Sequence, residues 1–159
     1  TDPATLAQTD GVPTKGKSHL DPRGKSVSSA GDVDGDGLDD VKIGAPLADP
    51  YGFPNFDAGE SYLVFGSALK AEQNDDGVID LATLAQTDGV LIKGKWYLDV
   101  SGNSVSSAGD VDGDGLDDVK IGAPLADPYG FPNFDAGESY LVFGGTSIGT
   151  APAAAVASR

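Results

Sequence analysis

Apolar residues in this chain come in short runs, each closed by glycine, proline or aspartate. That is the pattern of short strands joined by turns. Ser26 to Val33 is built from small residues and predicts a lean strand, suited to a crowded position near an axis. Val41 to Gly44 predicts a second strand, stopped by Ala45-Pro46. A long turn follows from Leu47 to Gly59, rich in proline, glycine, asparagine and aspartate. Glu60 to Gly66, with its β-branched and aromatic residues, predicts a third strand. A polar linker, Asn74-Asp75-Asp76-Gly77, leads to a fourth, over Val78 to Gln86. No stretch shows a sustained helical period; Ala68 to Gln73 makes at most one helical turn. The fold class expected is all-β.

The whole pattern then repeats. Thr5 to Val12 recurs as Thr83 to Val90, and Ser26 to Gly66 recurs letter for letter as Ser104 to Gly144, both at an offset of 78 residues. Four antiparallel strands per unit with a lean inner strand describe a propeller blade. The expected organisation is an outer strand and connecting loop over residues 1–25, a first blade and linker over 26–82, an outer strand and second blade over 83–145, and a flexible tail over 146–159. Chain start Thr1 reads as a mature or excised form, and no signal-peptide pattern is present.

Between the first and second strands of each unit lies Asp-Val-Asp-Gly-Asp-Gly-Leu-Asp-Asp. Alternating aspartates on a tight turn aim carboxylates inward, and glycines let the backbone curl without Cβ clashes. Calcium takes about six to eight hard oxygen ligands. Asp32, Asp34 and Asp36, the Leu38 carbonyl and Asp40 supply them in the first copy. Asp110, Asp112, Asp114, the Leu116 carbonyl and Asp118 do so in the second. Asp39 and Asp117 fall on the alternate phase, facing solvent or a neighbouring strand. An EF-hand starts alike but needs a glutamate at its twelfth position, where this chain has Ile43 and Ile121. Four carboxylates favour Ca²⁺ over Mg²⁺, which dehydrates reluctantly, and zinc lacks its usual His or Cys. A weaker candidate with the same spacing, Glu72, Asn74, Asp76, the Val78 carbonyl and Asp80, is more simply a polar hairpin turn.

Charge sharpens this picture. The net charge is −15 over 159 residues, and ten of the 25 acidic residues sit in the two loops. Such crowding opposes a compact state unless a cation neutralises it, and it makes nucleic acid and anionic membranes poor partners. No apolar run reaches the roughly 18 residues of a membrane span. Cysteine is absent, so no disulfide or thiolate chemistry is available. Catalysis has little support: the single histidine, His19, has Tyr97 at its repeat position, and no nucleophile–base pair is evident.

Phe65-Gly66 and Gly44-Ala45-Pro46, with the aspartate loop before them, resemble the FG-GAP repeat of integrin α-subunit propellers and bacterial cell-surface proteins. Phe143-Gly144 and Gly122-Ala123-Pro124 repeat the pattern. The resemblance covers nearly all of residues 5 to 145 and departs at Lys42 and Lys120, where an apolar residue would be usual. It implies closure of each metal loop by its ninth position, an extracellular or cell-surface location, and a binding or adhesion scaffold in which calcium is mainly structural. A structural or designed repeat without a natural ligand, or a sugar-binding propeller, is the alternative; an enzyme is not expected.

Hairpin alternation puts the Leu47–Gly59 loop at the end opposite the calcium loop, with Lys15 to Lys25 and Lys93 to Asn103. Tyr51, Phe53, Phe56, Trp96, Tyr129, Phe131 and Phe134 gather there, with His19, Arg23 and Tyr97, as a candidate face for a protein or glycan ligand, unless they pack between blades. Two blades do not close a propeller of about four to eight. Residues 5–12 read as an outer strand without its blade. The expected partner is a second copy joined head to tail, closing as a trimer or tetramer, the alternative being that the chain is a piece of a longer repeat protein that supplies the other blades.

Overall fold

The structure, a computed structural model, describes residues 12–15, 24–52, 56–72, 78–128 and 135–148. Two antiparallel sheets carry the architecture. The first runs β2 (Ser26–Gly31), β3 (Asp40–Ala45), β4 (Glu60–Val64) and β6 (Gly89–Lys93), in that order. The second runs β7 (Ser104–Gly109), β8 (Asp118–Ala123) and β9 (Glu138–Val142). A short parallel pair joins β1 (Thr14–Lys15) to β5 (Ile79–Asp80), and α1 (Gly66–Glu72) follows β4.

The first three strands of each unit lie where the sequence places them. The fourth does not. It is Gly89–Lys93 and not Val78 to Gln86, whose Ile79–Asp80 pairs instead with Thr14–Lys15. The two segments bury their apolar residues in different places. Val90 and Ile92 enter the core between the two sheets from the edge of β4, whereas Ile79 and Leu81 pack in the other cluster, on the opposite face of the first sheet, and Ala82, Thr83, Ala85 and Gln86 stay exposed. The single expected helical turn is slightly longer, over Gly66–Glu72. Among the described residues the second sheet has three strands, four per blade being expected with the outer strand of the second blade coming from another copy.

Strand alternation gives each sheet two faces. The row Ser28–Lys42–Leu63–Val90 lies on one face of the first sheet, and Val27–Ile43–Tyr62–Leu91 on the other. Leu63, Phe65, Val90 and Ile92 pack against Val105, Val119, Ile121 and Tyr140 of the second sheet in one core. The opposite face of the first sheet is covered by Ala68, Ile79 and Leu81, with Val12 at its margin. The sheets thus stack unlike face to unlike face, as neighbouring blades do.

β2 and β7 each carry a bulge, at Ser29/Gly31 and Ser107/Gly109, which bends the chain out of the sheet into the aspartate loop. At the other end, residues 94–103 lie against the long turn as expected. Leu98 N donates to Phe56 O (2.9 Å), Val100 N to Asp57 O (3.0 Å) and Ser101 N to Ala58 O (3.1 Å). Contact there is so close that a Cβ on Gly59 would sit 2.1 Å from Ser101 O.

Candidate metal centre

Each loop is folded by its own carboxylates. Asp32 accepts from Gly35 N (2.8 Å) through one oxygen and from Gly37 N (3.0 Å) through the other. Asp34 Oδ1 accepts from Asp36 N (3.0 Å). Asp40, fully buried at the start of β3, accepts from Val33 N through Oδ2 and from Gly66 N through Oδ1, both at 2.9 Å. The second loop copies this. Asp110 accepts from Gly113 N (2.6 Å) and Gly115 N (3.0 Å), and Asp112 from Asp114 N (3.2 Å). Asp118 accepts from Val111 N (2.7 Å) and Gly144 N (2.9 Å).

Of the expected ligands, Asp32, Asp34 and Asp40 come together, one oxygen of each within 4.8 Å of the others; Asp110, Asp112 and Asp118 do the same. Asp36 and Asp114 stand outside these groups, and each accepts from a backbone N–H, of Leu38 (2.8 Å) and Leu116 (2.9 Å). Burial pushes the Asp40 carboxyl up to about 6, opposed by its two N–H donors and reinforced by Asp34 and Asp36. Burial also raises Asp34, with Asp36 and Asp32 adding to the effect. Three convergent carboxylates, all oxygen donors, fit a hard divalent cation, whose charge would offset the cost that burial puts on the ionised forms of Asp34 and Asp40.

The Phe-Gly and Gly-Ala-Pro signatures have physical reasons here. A Cβ on Gly66 would lie 2.7 Å from both Asp39 O and Leu38 Cβ, so only glycine brings its N–H to Asp40. A Cβ on Gly44 would lie 2.0 Å from Gly102 O, where the two sheets meet. Sequence reasoning missed the brace between loops. Asp117 Oδ2 accepts from Asp32 N (3.1 Å), and Asp117 N donates to Asp32 O (3.0 Å). The signal was its off-phase position, which left only solvent or a neighbouring strand to face.

On the opposite end, Tyr51, Phe56 and Trp96 are exposed, with Tyr97 and Leu98 beside them. Lys93 Nζ lies 5.5 Å from the Tyr51 ring centre and Lys95 Nζ 5.7 Å from that of Trp96. Leu98 and Val100 hold positive φ of 62° and 55°, a strained conformation that the bonds to the long turn maintain. Phe53, Tyr129, Phe131, Phe134, His19 and Arg23 lie outside the described residues. So do Asn74, Asp76 and the Glu72 side chain of the weaker metal candidate; Asp80 of that set caps a turn through Ala82 N (2.9 Å).

Two stacked antiparallel sheets, each with an aspartate loop between its first two strands, define a pair of propeller blades. The chain belongs to the FG-GAP repeat family, which matches residues 24–64 and 101–142. Among curated proteins it is 37% identical over 101 residues to Integrin alpha-PS2 of Drosophila melanogaster, covering 62% of this chain and 6% of that protein. It is 30% identical over 120 residues to Integrin alpha ina-1 of Caenorhabditis elegans, covering 74% and 9%. With Integrin alpha pat-2 of the same worm it shares 35% over 100 residues, covering 63% and 7%. The chain therefore spans less than a tenth of the length of these relatives. No helix among the described residues is long and apolar enough to cross a membrane.

Proposed function

We propose that this chain is a calcium-stabilised propeller module acting as an extracellular or cell-surface binding and adhesion scaffold, not as an enzyme. The observation that carries it is the pair of three-aspartate groups at matching positions on two blades. Asp32, Asp34 and Asp40 hold one Ca²⁺, and Asp110, Asp112 and Asp118 the other. Asp36, Asp114 and the Leu38 and Leu116 carbonyls turn toward the ion once it is present. The cation neutralises the clustered carboxylates, so its binding free energy adds to folding and its role is mainly structural. The integrin names of the relatives support adhesion, and the exposed Tyr51, Phe56 and Trp96 supply the face for a protein or glycan ligand.

Calorimetric titration of the metal-stripped chain with Ca²⁺ tests the metal reading. Two sites per chain are expected, and absence of binding at millimolar Ca²⁺ would remove it. Calcium-dependent binding to a glycan or extracellular-matrix array tests the scaffold. Loss on Tyr51→Ala and Trp96→Ala is expected, and unchanged binding would move the ligand elsewhere. The two blades are completed into a propeller by head-to-tail association with further copies.

A further inference from the structure

The two blades present the same residues to different surroundings. Leu63 and Phe65 of blade 1 are buried under blade 2, whereas their counterparts Leu141 and Phe143 are 38% and 51% exposed. On the other side Val27 of blade 1 is 60% exposed, while its counterpart Val105 is 8% exposed against blade 1. The open face of blade 2 is therefore the surface that, in blade 1, receives a blade. Its missing cover has the shape of the Val27 side of blade 1.

The edges agree. The outer edge of β4 is paired by β6, but no described strand pairs with the outer edge of β9. The β6 segment that would be needed has its repeat counterpart in Val12–Lys15, which matches Val90–Lys93. The ladder between β4 and β6 is bounded by Gly94 N to Gly59 O (2.8 Å) and Phe65 N to Asp88 O (2.9 Å). Alternation then makes Val90 and Ile92 the residues whose backbone faces β4, with Leu91 facing away. Carried to the first repeat, Val12 and Thr14 would face β9, and Pro13, which has no N–H to give, stands where none is needed.

The other edge of this segment is already in use. Ile79 N donates to Pro13 O and Leu81 N to Lys15 O, both at 3.1 Å, so Pro13 and Lys15 face β5. That leaves the backbone of Val12 and Thr14 pointing away from β5, ready for a second strand. Val12 also packs at the margin of the Ile43–Tyr62 face of its own blade 1, as Val90 packs against blade 2. β1 already lies where the outer strand of a preceding blade belongs.

We propose that blade 2 takes up a second copy of this chain, whose Val12–Lys15 strand pairs with β9 and whose blade 1 stacks on the Leu141–Phe143 face. The register sets Lys15 opposite Glu138, Thr14 opposite Ser139, Pro13 opposite Tyr140 and Val12 opposite Leu141, as Lys93, Ile92, Leu91 and Val90 stand to β4. Asp39 of the incoming copy, exposed here, then braces Asp110 as Asp117 braces Asp32. This deepens the scaffold reading and rests on its blade assignment.

The described residues contain no cysteine and the sequence has none, so engineered thiols report cleanly. Lys15 and Glu138 form a pair of the non-hydrogen-bonded kind, with Cα atoms about 4.5 Å apart, within reach of a disulfide. Lys15→Cys chains mixed with Glu138→Cys chains under mild oxidation in Ca²⁺ should give a product of twice the 16.0 kDa chain mass. Neither variant alone should give it. Light scattering of the unmodified chain should return a whole multiple of 16.0 kDa, falling to one chain in Thr14→Pro, which removes the N–H facing β9. Leu141→Asp, at an exposed position of the single chain, should do the same with an unchanged circular dichroism spectrum. A 16.0 kDa particle in Ca²⁺, or a double variant that cross-links only within one chain, overturns the proposal. If that particle still melts higher with Ca²⁺ than without, the metal scaffold stands and only the assembly falls.

Discussion

Blade 1 and blade 2 are spelled alike from Ser26 to Gly66 and from Ser104 to Gly144, yet they are not alike as structures. Their aspartate loops close with the same hydrogen bonds, and Asp40 and Asp118 are both fully buried. The sheet faces differ in what covers them. Lys42, Ser61 and Leu63 are buried and their counterparts Lys120, Ser139 and Leu141 are exposed. The curl of the loop is thus a local structure, made by carboxylates of one unit, although Asp117 of the second unit also braces Asp32. The blade is a shared one, and its faces become core only when another blade supplies the second half.

Removing calcium acts on what the two blades share. A site filled at about 100 times its Kd adds about 2.7 kcal/mol. In a chain of this length about 1 kcal/mol moves Tm by roughly 2–4 °C. Excess EDTA should therefore lower Tm by about 10–20 °C for two sites, read by differential scanning calorimetry. Because both loops are built alike, neither blade should be spared, and a melt in which one half unfolds alone would show that the sites are unequal.

Substitution at matched positions sharpens what the blades do not share. Leu63→Ala removes a buried side chain between the blades and should cost about 2–5 kcal/mol in urea unfolding. Leu141→Ala, in the same local sequence, should cost less than about 1 kcal/mol in a single chain, because its side chain is already 38% exposed. Equal costs would mean that Leu141 is covered in solution, which head-to-tail association would bring about.

A smaller effect separates the metal-free loop from the filled one. The Asp40 carboxyl is raised from 3.8 to about 6. Its contribution to the stability of the metal-free chain is therefore fully present below about pH 4 and is lost as pH rises through about 6. Calcium needs the charged form, so affinity should fall as pH drops below about 6. The two states should respond in opposite directions between pH 4 and 6, and Tm measured with and without Ca²⁺ across that window checks it. Parallel slopes would take Asp40 out of the site.

What could be read from the sequence follows the same division. The loop was legible because its chemistry is local: aspartates two apart, glycines between them and no glutamate at the twelfth position. Three strands per blade were legible from alternation and turn residues. The fourth was misplaced because Val78 to Gln86 and Gly89–Lys93 are both short and partly apolar. Only packing against the next blade, through Val90 and Ile92, decides between them. Asp36 and Asp114 share the spacing of the other loop aspartates; their bonds to Leu38 N and Leu116 N come from the curl of each loop, which spacing does not encode.

Lys42 gives the subtlest contrast, since the same residue at 120 lies in the open. Lys42 is 1% exposed, and its Nζ has no hydrogen-bond partner among the described residues. Its pKa falls from 10.5 to about 8, lowered first by burial and then by Lys120, with Asp117 opposing both. Between about pH 8 and 10.5 the unfolded chain holds a proton at this position that the folded chain has lost, so stability should rise with pH across that window. Lys42→Met keeps the length of the buried stem and removes the unpartnered charge. It should stabilise the chain at pH 7 by roughly 1–2 kcal/mol and flatten the alkaline rise. Lys120→Met should stay within about 0.5 kcal/mol of the parent in a single chain, as an exposed position does. Urea unfolding of the parent and both variants at pH 7 and pH 10 reads all of this. A parent whose stability does not rise between those values would mean that the ammonium of Lys42 finds water or a carboxylate, and that the interface between the blades is wetter than its packing implies.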